Sequence, residues 1–291
     1  MTKLVGVIAV DSTVQNAGAV TWWRLSGDVD AQRLFRAWDA RGWDIADLPT
    51  QPSNASTLRR VLREKFGGPR CLIQALNGVA FAVVDVAVVG TAATDKRMAD
   101  AEYTTRFKLR LDEIDELLES DSLTGSELAH LQTEYDRARS TYEASTLSGW
   151  LVGQVEQRKA IRLRDTGGIY FVPEGYVQSW RAFGEALAEA SDSRVYEVPA
   201  VKNEQAMVAL VEALSQELQS RVTLLDQDIA DRGVRGLRSK AARCEELAEK
   251  VRVYESLFSV KLDALNDMVS RLDGRIVEAT LVAEAEATSG T

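Results

Sequence analysis

The side chains best suited to chemistry in this 291-residue chain are two aspartates and a run of arginines. Asp11 closes the apolar segment Leu4 to Val10, and Asp85 lies inside the β-rich run Val79 to Val89. Carboxylates of this kind serve metal-dependent nucleases, where several acids hold two metal ions that stabilise the attacking and leaving oxygens. The residues weigh against that role here: the further acids have no recognisable placement, and an aspartate at a strand end commonly begins a turn. Arg59, Arg60, Arg63, Lys65 and Arg70 form the best local cationic segment, with Trp22, Trp23, Trp38 and Trp43 in the same stretch of chain. Such residues contact phosphates and stack on unpaired bases in nucleic-acid-binding proteins. The plainer reading is preferred: Leu58, Val61 and Leu62 face a core, the arginines are its solvated side, and the tryptophans bury apolar area.

Other chemistry is sparse. The sole histidine, His130, sits between Leu128 and Leu131 and cannot supply a two-histidine metal site. No G-x-S-x-G elbow is present to complete a serine triad. The two cysteines, Cys71 and Cys244, suggest neither a disulfide framework nor zinc. Phe66-Gly-Gly-Pro69 and Asp165-Thr-Gly-Gly168 lack the Lys and Ser/Thr of a phosphate-binding loop and read as turns. No cofactor or metal is expected, and Asp11 and Asp85 are the only catalytic candidates.

Charge sharpens this. Thirty-five basic against 44 acidic residues give a net charge of -9, which repels nucleic acid on average. Residues 1–90 carry 10 Lys/Arg against 8 Asp/Glu and the remainder 25 against 36, so a nucleic-acid face belongs near the N-terminus. No stretch approaches the roughly 18 apolar residues of a membrane span, and Leu4 to Val10 reads as a strand rather than a signal peptide. A soluble, cytoplasmic protein is expected.

The elements that must position these residues begin with a hairpin, Val5 to Val10 and Ala19 to Leu25. Asp28 caps a helix through Asp39, and a Pro-containing loop leads to a second helix over 54–66. Asn77-Gly78 joins the runs 70–76 and 79–89 in a tight hairpin. Phe107, Leu111, Ile114 and Leu118, then Leu128, Leu131, Tyr135, Ala138 and Tyr142, repeat at helical spacing and predict an antiparallel helical hairpin. β character returns at 160–164 and 169–172, followed by a helix near 176–189 and a strand at 194–198. From Asn203 the rhythm is three-four: Val211, Leu214, Leu218, Val222, Leu225 and Ile229. After Gly233 and Gly236 it resumes from Leu237 through Val251, Tyr254, Phe258, Leu262, Leu265, Val269, Leu272 and Ile276, a coiled-coil seam. As one helix this second run extends roughly 60 Å and needs a partner surface, unless the chain folds back at the glycines.

Three passages together resemble an uncharacterised family of proteins encoded by bacteria and their phages. They are Leu48-Pro49 with Pro52-Ser53 and Leu58-Arg59-Arg60, then Arg162-Leu-Arg-Asp-Thr-Gly-Gly-Ile-Tyr-Phe-Val-Pro173, then Val198-Pro199. The resemblance transfers no catalytic residue and implies that the split β segments belong together, in a mobile-element context. The strand, turn and strand around Asp11 are similar to the first hairpin of ribonuclease-H-like nucleases, but the later elements do not reproduce that fold.

The expected architecture is α+β. A discontinuous head (1–93 and 155–200) has a small, mainly antiparallel sheet under helices. A helical-hairpin insertion spans 94–154, and long coiled-coil helices fill 201–291. The expected function is a non-enzymatic interaction or assembly protein that oligomerises or docks another protein through those helices, with no membrane partner. The alternatives are nucleic-acid binding through Arg59 to Arg70, which is not favoured, and a nuclease centred on Asp11.

Overall fold

A computed structural model describes residues 15–89, 100–164, 167–227, 229 and 234–289. The expected strand Leu4 to Val10 and Asp11 lie outside them. In chain order the elements are β1 (Asn16–Arg24), β2 (Asp28–Asp30), α1 (Ala31–Asp39), α2 (Asn54–Phe66), β3 (Cys71–Ala75), β4 (Ala80–Val89), β5 (Asp100–Leu111), β6 (Leu118–Ser120) and α3 (Gly125–Arg139). They continue with β7 (Thr141–Glu143), α4 (Ala144–Gln157), β8 (Ile161–Arg162), β9 (Tyr170–Pro173), α5 (Glu174–Ala190), β10 (Arg194–Val201), α6 (Glu204–Gln227), α7 (Val234–Phe258) and α8 (Asp263–Ser289). The α+β class, the antiparallel sheets and the packed C-terminal helices agree with the sequence reading. The chain divides into two compact units, one of Met1–Leu25, Ser148–Ala188 and Asp192–Thr291, the other of Ser26–Leu147 and Glu189–Ser191.

The first unit joins a four-stranded sheet, ordered β10-β1-β9-β8, to the bundle α6–α8. The split β segments do belong together: β1 pairs antiparallel with both β9 and β10. Gly18 makes the β1–β9 approach possible, because a Cβ there would stand 2.1 Å from the Val172 carbonyl oxygen, and its φ of 152° suits glycine. Ala17, Ile161 and Phe171 of the sheet share one core with the bundle. Trp180 of α5 is fully buried and its Nε1–H donates to Thr21 Oγ1 of β1 (2.8 Å).

The long seam is interrupted where the sequence shows no breaker. α7 ends at Phe258, Ser259 takes φ 58°, and Val260 N–H donates to Glu255 O (3.2 Å), a Schellman-type stop. Glu255 Oε1 then accepts from Leu262 N (2.8 Å) and Asn266 Nδ2 (2.9 Å), anchoring the start of α8. α8 runs back along α7, with Cys244 Sγ against Val269 O and Arg238 near Glu284. The 60 Å helix is therefore replaced by a hairpin of two shorter ones. Gly236 lies inside α7, and Gly233 is outside the described residues.

The second unit contains the sheet β3-β4-β5-β6, an antiparallel meander, and the pair β2-β7. Phe81, Val83, Phe107, Leu109 and Leu111 point from the meander into a core with Leu58, Val61 and Leu62 of α2 and Leu131, Tyr135 and Ala138 of α3. The Asn77-Gly78 turn is as expected, with Gly78 at φ 70°. The 100–120 stretch overturns the first arm of the expected helical hairpin. Phe107, Leu109 and Leu111 are buried while Arg106, Lys108 and Arg110 are exposed, a period of two that makes β5 a strand. Ile114 is 91% exposed, in a turn where Asp112 Oδ1 accepts from Ile114 N. The α1 cap also moves: Asp30, not Asp28, accepts from Arg33 N (2.7 Å), and Asp28 belongs to β2. The head strands are likewise shared between the two four-stranded sheets rather than united in one.

Candidate functional site

A cleft of about 540 Å³ opens in the first unit where the end of α4 meets α6 and α7. Its position follows from how α4 stops. Lys159 adopts φ 57° and Ala160 N–H reaches back to Val155 O (3.3 Å), so the chain turns sharply into β8. Two side chains of α7 hold that turn by its freed carbonyls: Tyr254 OH donates to Lys159 O (3.0 Å) and Lys250 Nζ to Ala160 O (2.5 Å). A bulky residue in the left-handed region persists only when its surroundings fix it, and these two bonds do so.

Glu217 of α6 is the hub of the polar network behind the cleft. It accepts from Lys250 Nζ (2.7 Å), from Arg221 Nε (3.0 Å) and from the Arg162 backbone N–H (3.2 Å), joining α6, α7 and β8. Arg221 also reaches Glu156 (2.6 Å), and Lys159 pairs with Glu249 (2.5 Å). Burial pulls the Lys250 ammonium below the usual lysine value, and Glu217 opposes that shift. Burial pushes the Tyr254 phenol well up, so it remains a donor. The cleft surface presents Lys159, Arg221, Arg243 and Lys250 beside Glu156 and Glu246, with Leu224, Leu225 and Leu247 as its apolar wall.

Sequence reasoning placed Tyr254 in the seam as an apolar position and singled out none of the charged residues of the cleft, although one signal was available. Leu237, Lys240, Cys244, Leu247, Val251, Tyr254 and Phe258 form the buried row of α7, so Lys240 occupies a core-facing position at three-four spacing. Its Nζ donates to Leu225 O (2.6 Å) near the C-terminal end of α6, where a cation is favourable. Lys250 adjoins the same row at Val251.

The expected seam residues are brought together, but against their own chain. Val251, Tyr254, Phe258, Leu265, Val269, Leu272 and Ile276 are buried within the first unit, and Leu262 is partly buried there. Cys244 lies in that core, its thiol pushed up to about 11 by burial and then by the Asp273 charge.

In the second unit Arg60 is committed to structure, paired with Glu143 and donating to Ala138 O (2.7 Å). Arg59 lies over the Phe81 ring (5.3 Å), while Arg63, Lys65 and Arg70 are exposed. Lys65 shares a cleft of about 310 Å³ with Phe66, Arg106, Glu127 and His130. Of the tryptophans, Trp38 is buried against Trp43 and donates to Asp44 O (2.8 Å). In the first unit Trp22 stacks on Tyr196 and Trp23 on Tyr170. Asp85 is exposed on β4, opposite Cys71. Among the described residues no group of three or more His, Cys, Asp or Glu side chains is placed to hold a metal ion. Nor is any helix there long and apolar enough to cross a membrane.

Residues 17–286 match the model of a family of unknown function, DUF6744, and the chain belongs to that family. No curated protein and no solved structure matches it.

Proposed function

We propose that this DUF6744 member is an interaction and assembly protein whose C-terminal bundle pairs with a second copy through the outer face of α8. The inner seam of α8 is already occupied, so it does not carry this reading. What supports it is a second row on the same helix: Ser270, Gly274, Val277 and Leu281 repeat at four, three and four, with Val277 51% and Leu281 63% exposed. A Cβ on Gly274 would meet nothing within 4 Å, so a neighbouring helix can approach closely there. Two exposed apolar side chains, Val277 and Leu281, that continue a row of small residues at three-four spacing suit close helix pairing, and a two-fold contact would use the same row twice.

Light scattering on the full chain tests this. The expected mass is about twice the 32.0 kDa of one chain, falling to one chain in Val277→Glu/Leu281→Glu with the helical circular dichroism kept and the concentration dependence of the melting temperature lost. A monomer at all concentrations in the unaltered protein would sink the reading.

A further inference from the structure

We propose that the cleft between α4, α6 and α7 binds an organic phosphate of nucleotide size. This goes beyond the pairing of α8 and does not depend on it. Three observations converge on the same walls.

The first is unspent donor capacity. A lysine ammonium has three N–H donors and a guanidinium five. Lys250, nine-tenths buried, uses donors on Ala160 O and Glu217. That leaves one N–H at the cleft wall. Arg221 engages Glu217 and Glu156 through Nε and one terminal nitrogen, and its other terminal nitrogen has no partner among the described residues. Arg243 is exposed at the mouth, with no hydrogen bond or ion pair to any described residue.

The second is local charge. A smaller cleft of about 270 Å³ adjoins the first and shares Glu156 and Arg221 with it, adding Arg162 and Arg164. Together the two present six cations and the carboxylates Glu156, Glu217 and Glu246, with Glu249 on Lys159 making a fourth. This surface is net positive in a chain of net charge -9. Such a contrast draws an anion to one place.

The third is shape. The volume falls within the roughly 300–1,000 Å³ of small-molecule sites. Leu224, Leu225 and Leu247 give an apolar surface for a ring, beside donors suited to phosphate oxygens. Gly153 of α4 lines the cleft with open space at its Cβ position, which leaves room for the ligand body.

Isothermal titration of the full chain at low salt, with inorganic phosphate, adenosine monophosphate and adenosine diphosphate as probes, tests the proposal. Both nucleotides should bind, and more tightly than inorganic phosphate. Arg243→Glu should weaken nucleotide binding about tenfold or more, as expected for loss of a charge-assisted contact. Gly153→Leu should weaken it by filling the cleft. Both positions are exposed, and Gly153→Leu favours the α4 helix, so neither variant should melt below the unaltered protein. Absence of heat with all three probes would overturn the site. Nucleotide affinity left intact by both substitutions would place binding elsewhere and equally overturn it. Inorganic phosphate binding as tightly as the nucleotides would overturn the nucleotide-sized ligand.

Discussion

The most buried ion pairs of the two units differ in how far they are withdrawn from water. In the first, Lys250 and Glu217 are 7% and 12% exposed as side chains and lie within a network that ties α6, α7 and the turn after α4. In the second, Arg60 meets Glu143 with that carboxylate 41% exposed, and Arg41 meets Glu189 with it 56% exposed. The apolar cores are similar in kind, aromatic and aliphatic side chains meeting across sheet and helix. The contrast therefore concerns what the polar groups do. In the second unit they decorate a core that hydrophobic burial has already specified. In the Lys250–Glu217 network of the first they help to complete it, because the turn after α4 frees carbonyls that Tyr254 and Lys250 satisfy.

The largest effect follows from Tyr254. Its side chain is fully buried, packs near Phe171 and Phe258, and holds the Lys159 carbonyl. Tyr254→Ala should cost about 3–5 kcal/mol in urea unfolding, as large aromatic truncations do. Leu109→Ala, in the core of the second unit, should cost about 2–5 kcal/mol without disturbing any polar group. Tyr254→Phe separates the terms in the first unit: it keeps the packing and exposes the value of the hydroxyl, about 1–3 kcal/mol. If Tyr254→Phe is as stable as the unaltered protein, the polar groups do not complete that core.

The same contrast explains which parts of the fold were legible. Local rules were sufficient for α2, with Ser53 as its cap, and for the Asn77-Gly78 hairpin, since each is set by residues a few positions apart. They failed at β5, where Phe107, Leu111, Ile114 and Leu118 match a helical period and the competing alternation of Arg106 to Leu111 decides the outcome. Strand pairing with β4 makes that alternation win, and no local window contains β4. The α7–α8 reversal was hidden for another reason. Ser259 takes a left-handed conformation usually given to glycine, and Leu262 keeps the heptad rhythm through the turn. The cleft was hidden because its residues come from 153–159, 221–225 and 243–250, and only the core-facing Lys240 marked the helix as unusual.

A paired substitution tests the ionic contrast directly. Glu217→Gln leaves Lys250 buried without a counter-charge and should cost about 3–5 kcal/mol. Lys250→Met in the same background should recover much of that, because the unpaired charge is then gone. Glu143→Gln, at the exposed pair, should cost no more than about 1 kcal/mol. Equal costs at the two sites would mean that the first unit's network is as solvated as the second's.

The smallest effects are in pH dependence, and both units should gain stability as pH rises, in different windows. The hydrogen bond from Arg60 holds the Glu143 carboxyl below its ordinary 4.5. Between the folded value and 4.5 the unfolded chain carries the proton and the folded chain does not, so stability falls as pH falls through that window. Above 4.5 this contribution is complete. The stability gap between the unaltered protein and Glu143→Gln should therefore be constant near neutrality and close in acid, by an amount limited by the exposure of the carboxylate. Lys250 acts at the other end. Burial depresses its pKa below 10.5, so between its folded value and 10.5 the unfolded chain again binds the extra proton. The unaltered protein should gain on Lys250→Met as pH rises toward 10.5. If the unaltered protein instead loses ground to Lys250→Met as pH rises there, Glu217 outweighs burial at this lysine.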